Sequence, residues 1–385
     1  MRILHTSAFY YPRAGGAEEV VRQISERLAV RGHDVTVATT SLPERKSTML
    51  HGVQIVEFPI HAVLGHSVLG IRGDTTSFRD FLHIGNWDIV MNYAAQTWPT
   101  DITFRQLSRL RSKTVLAACG YSGLIGARRL LYEGYFRRLP HFLRQYGAIV
   151  YHSNSYQDKA FGDRYGIRNY RVIPNAVDSA EFLTPRIDFR RQYNITTEHL
   201  IVTIGNHFSN KGHDRVLAAF KNLNDATLVI VGHNSAPWYR SCYSACKRAA
   251  RRESRILLLE NAPRTHTVAA LLAADLFLCG SHIEAFPLVI LEAMASRTPW
   301  IAFPAGNIAE LPGGIVVDSV EQMTAKARRL FSDTPARLVL ADEGRCAQRA
   351  EFHWEKIVDQ YEDLYESLLA GEPVAACASA AERHA

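Results

Sequence analysis

The chain contains 385 residues, 47% of them hydrophobic and 21% charged, and its formal net charge is +6. This composition excludes a largely disordered protein. The net charge is modest and no known nucleic-acid-binding motif occurs, which argues against nucleic-acid binding. Since a single hydrophobic core stops growing near about 250 to 300 residues, we expect two domains.

The cysteine pattern and the N-terminus bear on the cellular compartment. The six cysteines lack paired C-x-x-C spacing and the density of a secreted disulfide scaffold. Cys242 and Cys246 could share a helix face, but no companion His or Cys pair lies at zinc spacing, so we interpret them as packing residues. The first residues lack the apolar stretch of a secretory signal, and no window of about 18 apolar residues occurs. We therefore expect a cytoplasmic protein.

In chain order, the first half alternates strand and helix patterns. A short apolar strand at residues 3–6 leads through a Gly-containing loop into apolar residues at helical spacing over residues 18–30, and the next strand begins at Val35. This βαβ pattern predicts a parallel sheet. Further strands are predicted at residues 53–58, 89–92, 114–118 and 149–152. Residues 1–180 are therefore predicted to form a doubly wound, Rossmann-like domain.

The second half repeats this α/β architecture over residues 181–350. Strands are predicted at residues 200–204, 226–231, 256–259 and 276–279, with helices between them. We expect residues 351–370 to form a closing helix that packs back toward the N-terminal domain, and residues 371–385 to fray. Two such domains would face each other across a cleft, the usual place for a ligand.

The segment 284–292 begins and ends with a carboxylate, follows a predicted strand and opens a helix. Free N–H groups at a helix start favour phosphate. Eight residues of mostly helical chain would separate Glu284 from Glu292 by about 12 Å, too far for the acid/base pair of a glycoside hydrolase at about 5 to 9.5 Å. The pair suits the two ends of one long ligand. The alternative is that Glu284 caps the helix and Glu292 is a surface residue.

A second loop of the same domain supports the ligand interpretation. Residues 205–212 follow the first strand of that domain and end in Lys211-Gly212. A Lys close to a helix N-terminus adds a point charge that can bind phosphate. By itself, a Lys-Gly pair after a strand is usually a turn.

Four motifs in order resemble the family 4 glycosyltransferases, which are retaining enzymes of the GT-B fold. They are Gly15-Gly16-Ala-Glu18, Val172-Ile-Pro-Asn-Ala-Val-Asp178, the loop 205–212 and Glu284-x7-Glu292. The resemblance covers most of the chain. It implies transfer of a sugar from a UDP- or GDP-linked donor to a hydroxyl of a glycan, glycolipid or lipid-linked acceptor, without a metal or cofactor.

The resemblance also implies roles for individual residues. Glu284 would contact the transferred sugar and, with Lys211, form the catalytic pair, whereas Glu292 would bind the ribose. Backbone amides near Phe286, Pro287 and Leu288 would hold the diphosphate, although Pro287 stands where the family usually has Gly and cannot donate a hydrogen bond. Gly15 and Gly16 match the loop of the N-terminal, acceptor-side domain that approaches the donor.

Two departures from the family pattern bear on activity. Asn206 stands in the donor site where an Arg is common, which removes a charged contact to phosphate. The stretch after the strand at residues 114–118 lacks the His that many relatives carry, so that Asn92, Tyr121 or Ser122 positions the acceptor, or the site is weakened. The alternative function is therefore a non-catalytic or regulatory nucleotide-sugar-binding protein of the same fold.

Basic and aromatic residues alternate over residues 128–144. The arginines of this segment are Arg128, Arg129, Arg137, Arg138 and Arg144. One interpretation is a solvated helix with one face in the core. The other is peripheral contact with an anionic membrane surface at the inner face of the membrane, since basic amphipathic helices with aromatic residues bind there.

Overall fold

The computed structural model describes residues 1–13, 15–124, 128–234 and 241–374, which fall into two compact units. The first unit comprises Met1–Asn175 and the C-terminal segment that begins at Trp354, and the second spans Ala176–His353. Most of the tail that was predicted to fray, from residue 375 onward, lies outside the described residues.

The first unit is built on a parallel sheet with helices between its strands. Its strands are β1 Arg2–Thr6, β2 Asp34–Thr40, β3 Met49–Leu50, β4 Val53–Phe58, β5 Ile60–Ala62, β6 Ile71–Gly73, β7 Ile89–Tyr93, β8 Lys113–Ala117, β9 Ala148–Tyr151 and β10 Tyr170–Val172. Its helices before the second unit are α1 Gly16–Val30, α2 Thr75–Ile84, α3 Trp98–Phe104, α4 Arg128–Leu143 and α5 Gln157–Arg164. The strand order is β10-β9-β8-β7-β1-β2-β4-β3, and β3 pairs antiparallel with β4.

The second unit contains a six-stranded, all-parallel sheet of order β13-β12-β11-β14-β15-β16. Its strands are β11 His199–Ile204, β12 Ala226–Gly232, β13 Ile256–Glu260, β14 Leu276–Cys279, β15 Trp300–Ala302 and β16 Gly314–Val316. Its helices are α6 Phe189–Gln192, α7 His213–Phe220, α8 Tyr243–Arg252, α9 Arg264–Ala273, α10 Leu288–Ala295, α11 Val320–Ser332 and α12 Thr334–Glu351. Helix α13, Trp354–Ala370, returns to the first unit.

Successive side chains of the central strands in the second unit pack into two core layers, one on each face of the sheet. Val202 and Val229 pack with α9 and α10 on one face of the sheet, whereas Ile201 and Leu228 pack with α7 and α11 on the other. Successive side chains of a strand point to opposite faces, so a strand covered on both sides is apolar throughout. All seven residues of β12 are buried accordingly.

The predicted doubly wound α/β fold is confirmed, and the predicted strands of both units are present. Four short strands of the first unit, β3, β5, β6 and β10, were not predicted, because segments of two or three residues are too short to show a period of two. The strands β5 and β6 form a separate antiparallel pair.

Helix α13 is held to the first unit by an apolar stripe and by ion pairs. Ile357, Tyr361 and Leu364 recur at helical spacing and are buried. Arg31, at the end of α1, contacts three acidic residues of this helix, with its nitrogen atoms 2.6 Å from Glu362 at the closest approach. The amphipathic pattern therefore explains why a C-terminal helix completes the N-terminal unit.

Candidate functional site

The strand order of the second unit reverses between β11 and β14, which are neighbours in the sheet. Ligands of open α/β sheets bind at the carboxyl ends of strands where the order reverses. The loop 205–212 follows β11, and residues 280–287 follow β14. The two segments predicted to bind the donor therefore meet at the topological switch point.

Two glycines bring these loops into backbone contact. Gly212 has φ +62°, and a Cβ placed on it would lie 1.8 Å from the carbonyl oxygen of Gly280. The N–H of His282 donates to the carbonyl of Asn210 at 2.8 Å. A side chain at position 212 would force the loops apart, so the contact depends on glycine.

This contact places Lys211 beside Glu284. The Lys211 Nζ donates to Glu284 Oε1 at 2.7 Å, and the Ser281 hydroxyl donates to the same oxygen at 2.7 Å. The Glu284 side chain is 10% exposed and that of Lys211 is 28% exposed. The carboxylate is thus fixed by two donors, one of them charged, while the ammonium keeps access to solvent.

The helix start lies later than the sequence pattern suggested. Helix α10 begins at Leu288 with Pro287 as its N-cap and without a side-chain cap, so Glu284 lies in the preceding loop and does not cap the helix. The estimate of 12 Å between the two carboxylates assumed mostly helical chain, and this assumption is wrong for residues 284–287. Pro287 contributes no N–H, so the exposed amides of this helix start come from Leu288 and Val289.

Phe286 anchors the loop 280–287 in the core, and Gly306 lies close to the backbone of this loop. The Phe286 side chain is buried in the core of the second unit, with its ring centroid 6.1 Å from that of Phe352. Gly306 has φ +63°, and a Cβ there would lie 2.7 Å from the carbonyl oxygen of Glu284. Gly306 was missed by the sequence analysis, because the contact joins residues 22 positions apart.

Glu292 lies at the other end of the segment and is paired. Its Oε1 is 2.7 Å from a guanidinium nitrogen of Arg264, and the Glu292 side chain is 13% exposed. Arg264 also contacts Glu181 at 2.6 Å. The surface-residue alternative for Glu292 therefore does not describe this carboxylate, which is largely enclosed and held by a cation.

The remaining residues predicted to bind the donor are Asn206 in the second unit and Gly15 and Gly16 in the first. Asn206 is half-buried in the loop after β11. Gly15 is the N-cap of α1 in an extended conformation, and Gly16 is the first residue of that helix. A Cβ on Gly15 would lie 2.3 Å from the carboxylate of Glu18. Because this carboxylate is the end of a flexible side chain that can move aside, the contact by itself does not require glycine at position 15.

Of the three residues predicted to position the acceptor, two are buried and one is exposed. Asn92 is fully buried: its amide donates to Thr6 at 2.7 Å, and its oxygen accepts from Tyr146 at 2.7 Å. Tyr121 is also fully buried, whereas Ser122 is exposed. Neither the Asn92 nor the Tyr121 side chain reaches the surface, so either residue could position the acceptor only through its neighbours, and this role stays a prediction.

A cluster that the sequence analysis missed lies at the carboxyl ends of β8 and β9. Cys119 has φ +53° directly after β8, and the N–H of Gly120 donates to Asp158 at 2.9 Å. His152, directly after β9, donates through Nδ1 to the carbonyl of Ile173 at 2.9 Å, and its Nε2 is buried without a partner among the described residues. Burial lowers the pKa of His152 and raises that of Asp158. A histidine thus does follow a strand of this sheet, one strand later than expected.

Cys242 and Cys246, which we interpreted as packing residues, do pack against the core of the second unit, but two histidines also lie beside them. His207 and His213, at either end of the loop that carries Lys211, lie beside both thiols. The two histidines precede the cysteines by 29 to 39 residues and follow no common zinc spacing, so the sequence pattern does not connect them.

The basic segment forms helix α4, and most of its apolar side chains face the core. Tyr132, Phe136 and Leu139 are buried, whereas Leu130 is 83% exposed and lies among the basic residues. Arg137 and Arg138 are exposed as well. Among the described residues, no helix is both long and apolar enough to cross a membrane.

Comparisons with known proteins agree with the arrangement of the second unit. A family model described as Glycosyltransferase Family 4 matches residues 14–181, and one described as Glycosyl transferases group 1 matches residues 185–345. The N-acetyl-alpha-D-glucosaminyl L-malate synthase of Bacillus anthracis is 25% identical over 376 residues, which cover 93% of this chain and 96% of that relative.

Solved structures show the same fold at lower sequence identity. A sucrose-phosphate synthase from Thermosynechococcus elongatus is 20% identical, with a TM-score of 0.82 over 96% of this chain and 100% of the other. Anabaena HepE in complex with UDP-glucose is 17% identical, with a TM-score of 0.77 over 95% of this chain and 100% of the other. The chain therefore has the GT-B fold and belongs to the family 4 glycosyltransferases.

Proposed function

We propose that this protein transfers a sugar from a nucleotide-sugar donor to a hydroxyl acceptor with retention of anomeric configuration. The observation that carries the proposal is the pairing of Lys211 with Glu284 at the switch point of the second sheet. An ammonium, a fixed carboxylate and a helix start with free amides are gathered there. This set matches a ligand with a sugar at one end and a diphosphate in the middle.

In this proposal the donor lies along segment 284–292. Glu284 accepts hydrogen bonds from sugar hydroxyls, and its ion pair with Lys211 keeps the carboxylate oriented. The amides of Leu288 and Val289 receive the diphosphate. Glu292, held by Arg264, binds the ribose hydroxyls. Lys211 exchanges part of its contact with Glu284 for the phosphate when the donor is present.

Retention follows most simply from attack on the face that the diphosphate leaves. The bond from the anomeric carbon to the phosphate oxygen breaks, the acceptor oxygen bonds to that carbon, and the acceptor proton passes to the leaving phosphate. Lys211 and the helix start stabilise the charge that develops on this phosphate, so the transfer step needs neither a metal nor a cofactor. The Bacillus anthracis relative is named for an alpha-configured product, which is consistent with retention from an alpha-linked donor.

The donor is proposed to be UDP-linked, with a GDP-linked sugar as the alternative. Anabaena HepE, which shares the fold, was solved with UDP-glucose. The acceptor is proposed to bind to the first unit, where Ser122 is exposed beside the strained turn at Cys119. Glycans, glycolipids and lipid-linked intermediates remain the acceptor classes to test. L-malate, named in the Bacillus anthracis relative, adds a small hydroxy acid to them.

The rival proposal is a protein that binds the nucleotide sugar without transferring it. It is favoured by Asn206 and Pro287, each of which removes a phosphate contact, and by the absence of a histidine after β8. A turnover assay separates the two. Purified protein is incubated with UDP-glucose, UDP-N-acetylglucosamine or GDP-mannose and an acceptor panel, and release of the nucleotide diphosphate is followed.

The enzyme proposal predicts acceptor-dependent release with at least one donor, unchanged by added Mg²⁺ or Mn²⁺. Thermal stabilisation by a donor without any release over the whole panel would favour the binding protein. Absence of both stabilisation and release would contradict both proposals.

Contact with an anionic membrane is a second proposal, favoured by the exposed Leu130 within a basic surface of α4. It places the protein at the cytoplasmic face of the membrane, where lipid-linked acceptors would be available. Co-sedimentation with vesicles of phosphatidylcholine and phosphatidylserine is expected to exceed that with phosphatidylcholine alone and to fall in R137E/R138E. Equal binding to both vesicle types would contradict it.

A further inference from the structure

Four potential metal ligands from three elements lie close together beside the loop 205–212. His207 lies in the loop after β11, His213 is the first residue of α7, Cys242 is the N-cap of α8, and Cys246 lies one turn into that helix. One ligand atom from each of them lies within 4.8 Å of the others. The cluster lies outside segment 284–292 and has no part in the transfer step proposed above.

The backbone holds these elements together independently of the side chains. The N–H of Cys242 donates to the carbonyl of His207 at 3.2 Å, and Phe208 forms an isolated β-bridge with Ser241. Cys242 and Cys246 are four residues apart, so both thiols lie on one face of the helical turn. The positions of the ligands are therefore set by the fold rather than by surface side chains that happen to meet.

The side-chain distances suit a shared ion. His213 Nδ1 is 3.3 Å from Cys242 Sγ, and His207 Nδ1 is 3.8 Å from the same sulfur. In a tetrahedral zinc site, metal–ligand distances of about 2.0 to 2.3 Å place the ligand atoms roughly 3.3 to 3.8 Å apart. The cluster thus requires a contraction of about 1 Å at its widest pair.

Packing alone leaves part of this cluster unsatisfied. The His207 side chain is 2% exposed; among the described residues its Nδ1 contacts only the Cys242 sulfur, at 3.8 Å, and its Nε2 has no hydrogen-bond partner. Buried polar atoms are normally paired.

We propose that His207, His213, Cys242 and Cys246 bind one zinc ion. Two imidazoles and two thiolates form the ligand set of structural zinc, and four protein ligands leave no position open for a substrate. Softer thiolate ligands disfavour Mg²⁺ and Ca²⁺, which prefer oxygen. The zinc ion ties both ends of the loop that carries Lys211 to helix α8, and so fixes the loop that presents this ammonium.

The experiment measures zinc in the full-length protein purified without chelators. We expect about one zinc per chain, and less than about 0.2 per chain in Cys246→Ser and His207→Gln, since loss of one ligand of four weakens a structural site strongly. Cys346→Ser is the matched control, because this cysteine is exposed on α12, away from the cluster. It should retain the wild-type zinc content.

If a ligand variant does not fold, cobalt substitution of the wild-type protein tests the proposed zinc site instead. Co²⁺ exchanged into the site is expected to give the thiolate charge-transfer band and the intense visible bands of a tetrahedral ion with sulfur ligands. A wild-type protein that stays without zinc after exposure to the ion, or that gives an octahedral Co²⁺ spectrum, would overturn the proposal. So would equal zinc in the folded wild type and both folded ligand variants. None of these readouts depends on transferase activity.

Discussion

At the residue scale, the central feature of the site is the fixed orientation of Glu284. Lys211 and Ser281 donate to the same carboxylate oxygen, so this side chain is an oriented acceptor and not a free acid. The family motifs named Lys211 and Glu284 as catalytic residues but did not predict their contact, and Ser281 was not expected at all. A hydroxyl three residues before a carboxylate carries no sequence signal unless the loop conformation is known.

Replacement of Lys211 by Ala should lower kcat by about 10²- to 10³-fold, because it removes a preorganised charge that stabilises the leaving phosphate. KM for the donor is expected to change much less. Lys221→Ala is the matched control, since this lysine is exposed at the end of α7 in the same unit. Steady-state release of the nucleotide diphosphate gives both parameters, and equal kcat values for the two variants would refute the role of Lys211.

Replacement of Glu292 by Ala should abolish the rise in Tm that the donor produces, because the ribose loses its carboxylate partner. Arg264 retains Glu181, so the unliganded protein should lose little stability. Asp342→Ala serves as control, since Asp342 pairs with Arg297 at an exposed position. If a differential scanning measurement finds full donor stabilisation in Glu292→Ala, the ribose assignment fails.

At the element scale, the two loops after β11 and β14 depend on a glycine contact. Sequence patterns predicted both loops, because the strands and helices that flank them are strongly periodic. They could not show that Gly212 and Gly280 touch, since this contact arises only when β11 and β14 become neighbours in the sheet. The start of α10 was misplaced because Pro287 ends an irregular segment whose composition resembles a helix.

Gly212→Ala is expected to cost more stability than the roughly 1 to 2 kcal/mol of an unfavourable left-handed conformation, because its Cβ would also meet the Gly280 carbonyl. Gly166→Ala is the control: its φ is +66°, and nothing lies within 4 Å of the added Cβ. Thermal unfolding compares them, and a decrease in Tm no larger than that of Gly166→Ala would show that the two loops can separate freely.

A buried histidine of β1 contacts helix α13. His5 in β1 contacts Tyr365 of α13 at 3.1 Å and Ser25 of α1 at 2.8 Å. Burial lowers the pKa of His5 to about 3, below its ordinary value of 6.5. Its contribution to stability is therefore fully present above pH 6.5 and is lost as the pH falls toward 3.

The unfolding free energy of the wild type should therefore fall by up to about 1.4 kcal/mol for each pH unit below 6 through this group. In His5→Gln, which can keep both hydrogen bonds, the slope between pH 6 and pH 4.5 should be smaller by this amount. His61→Gln, at an exposed position, is the control. Urea unfolding at several pH values tests this, and identical slopes in His5→Gln and the wild type would exclude His5 as the source.

At the scale of the whole molecule, the fold class followed from periodicity, and Lys211 and Glu284, which the family motifs named, lie together at the switch point of the second sheet. The surroundings of the acceptor-side residues could not be predicted. Asn92 and Tyr121 are polar residues near strand ends, and the sequence does not show that their side chains are buried. The Gly120 N–H and Asp158, 38 residues apart in the chain, meet only in the folded unit. Long-range contacts of this kind account for the remaining differences.

The measurement that tests the central claim most directly is the stereochemistry of the product. Wild-type protein, a UDP-linked alpha sugar and an acceptor from the panel are followed by proton nuclear magnetic resonance of the anomeric signal. We expect an alpha-linked product whose formation is reduced at least about 100-fold in Lys211→Ala and is unaffected in Lys221→Ala. A beta-linked product, or an alpha-linked product formed equally fast by Lys211→Ala, would contradict the account.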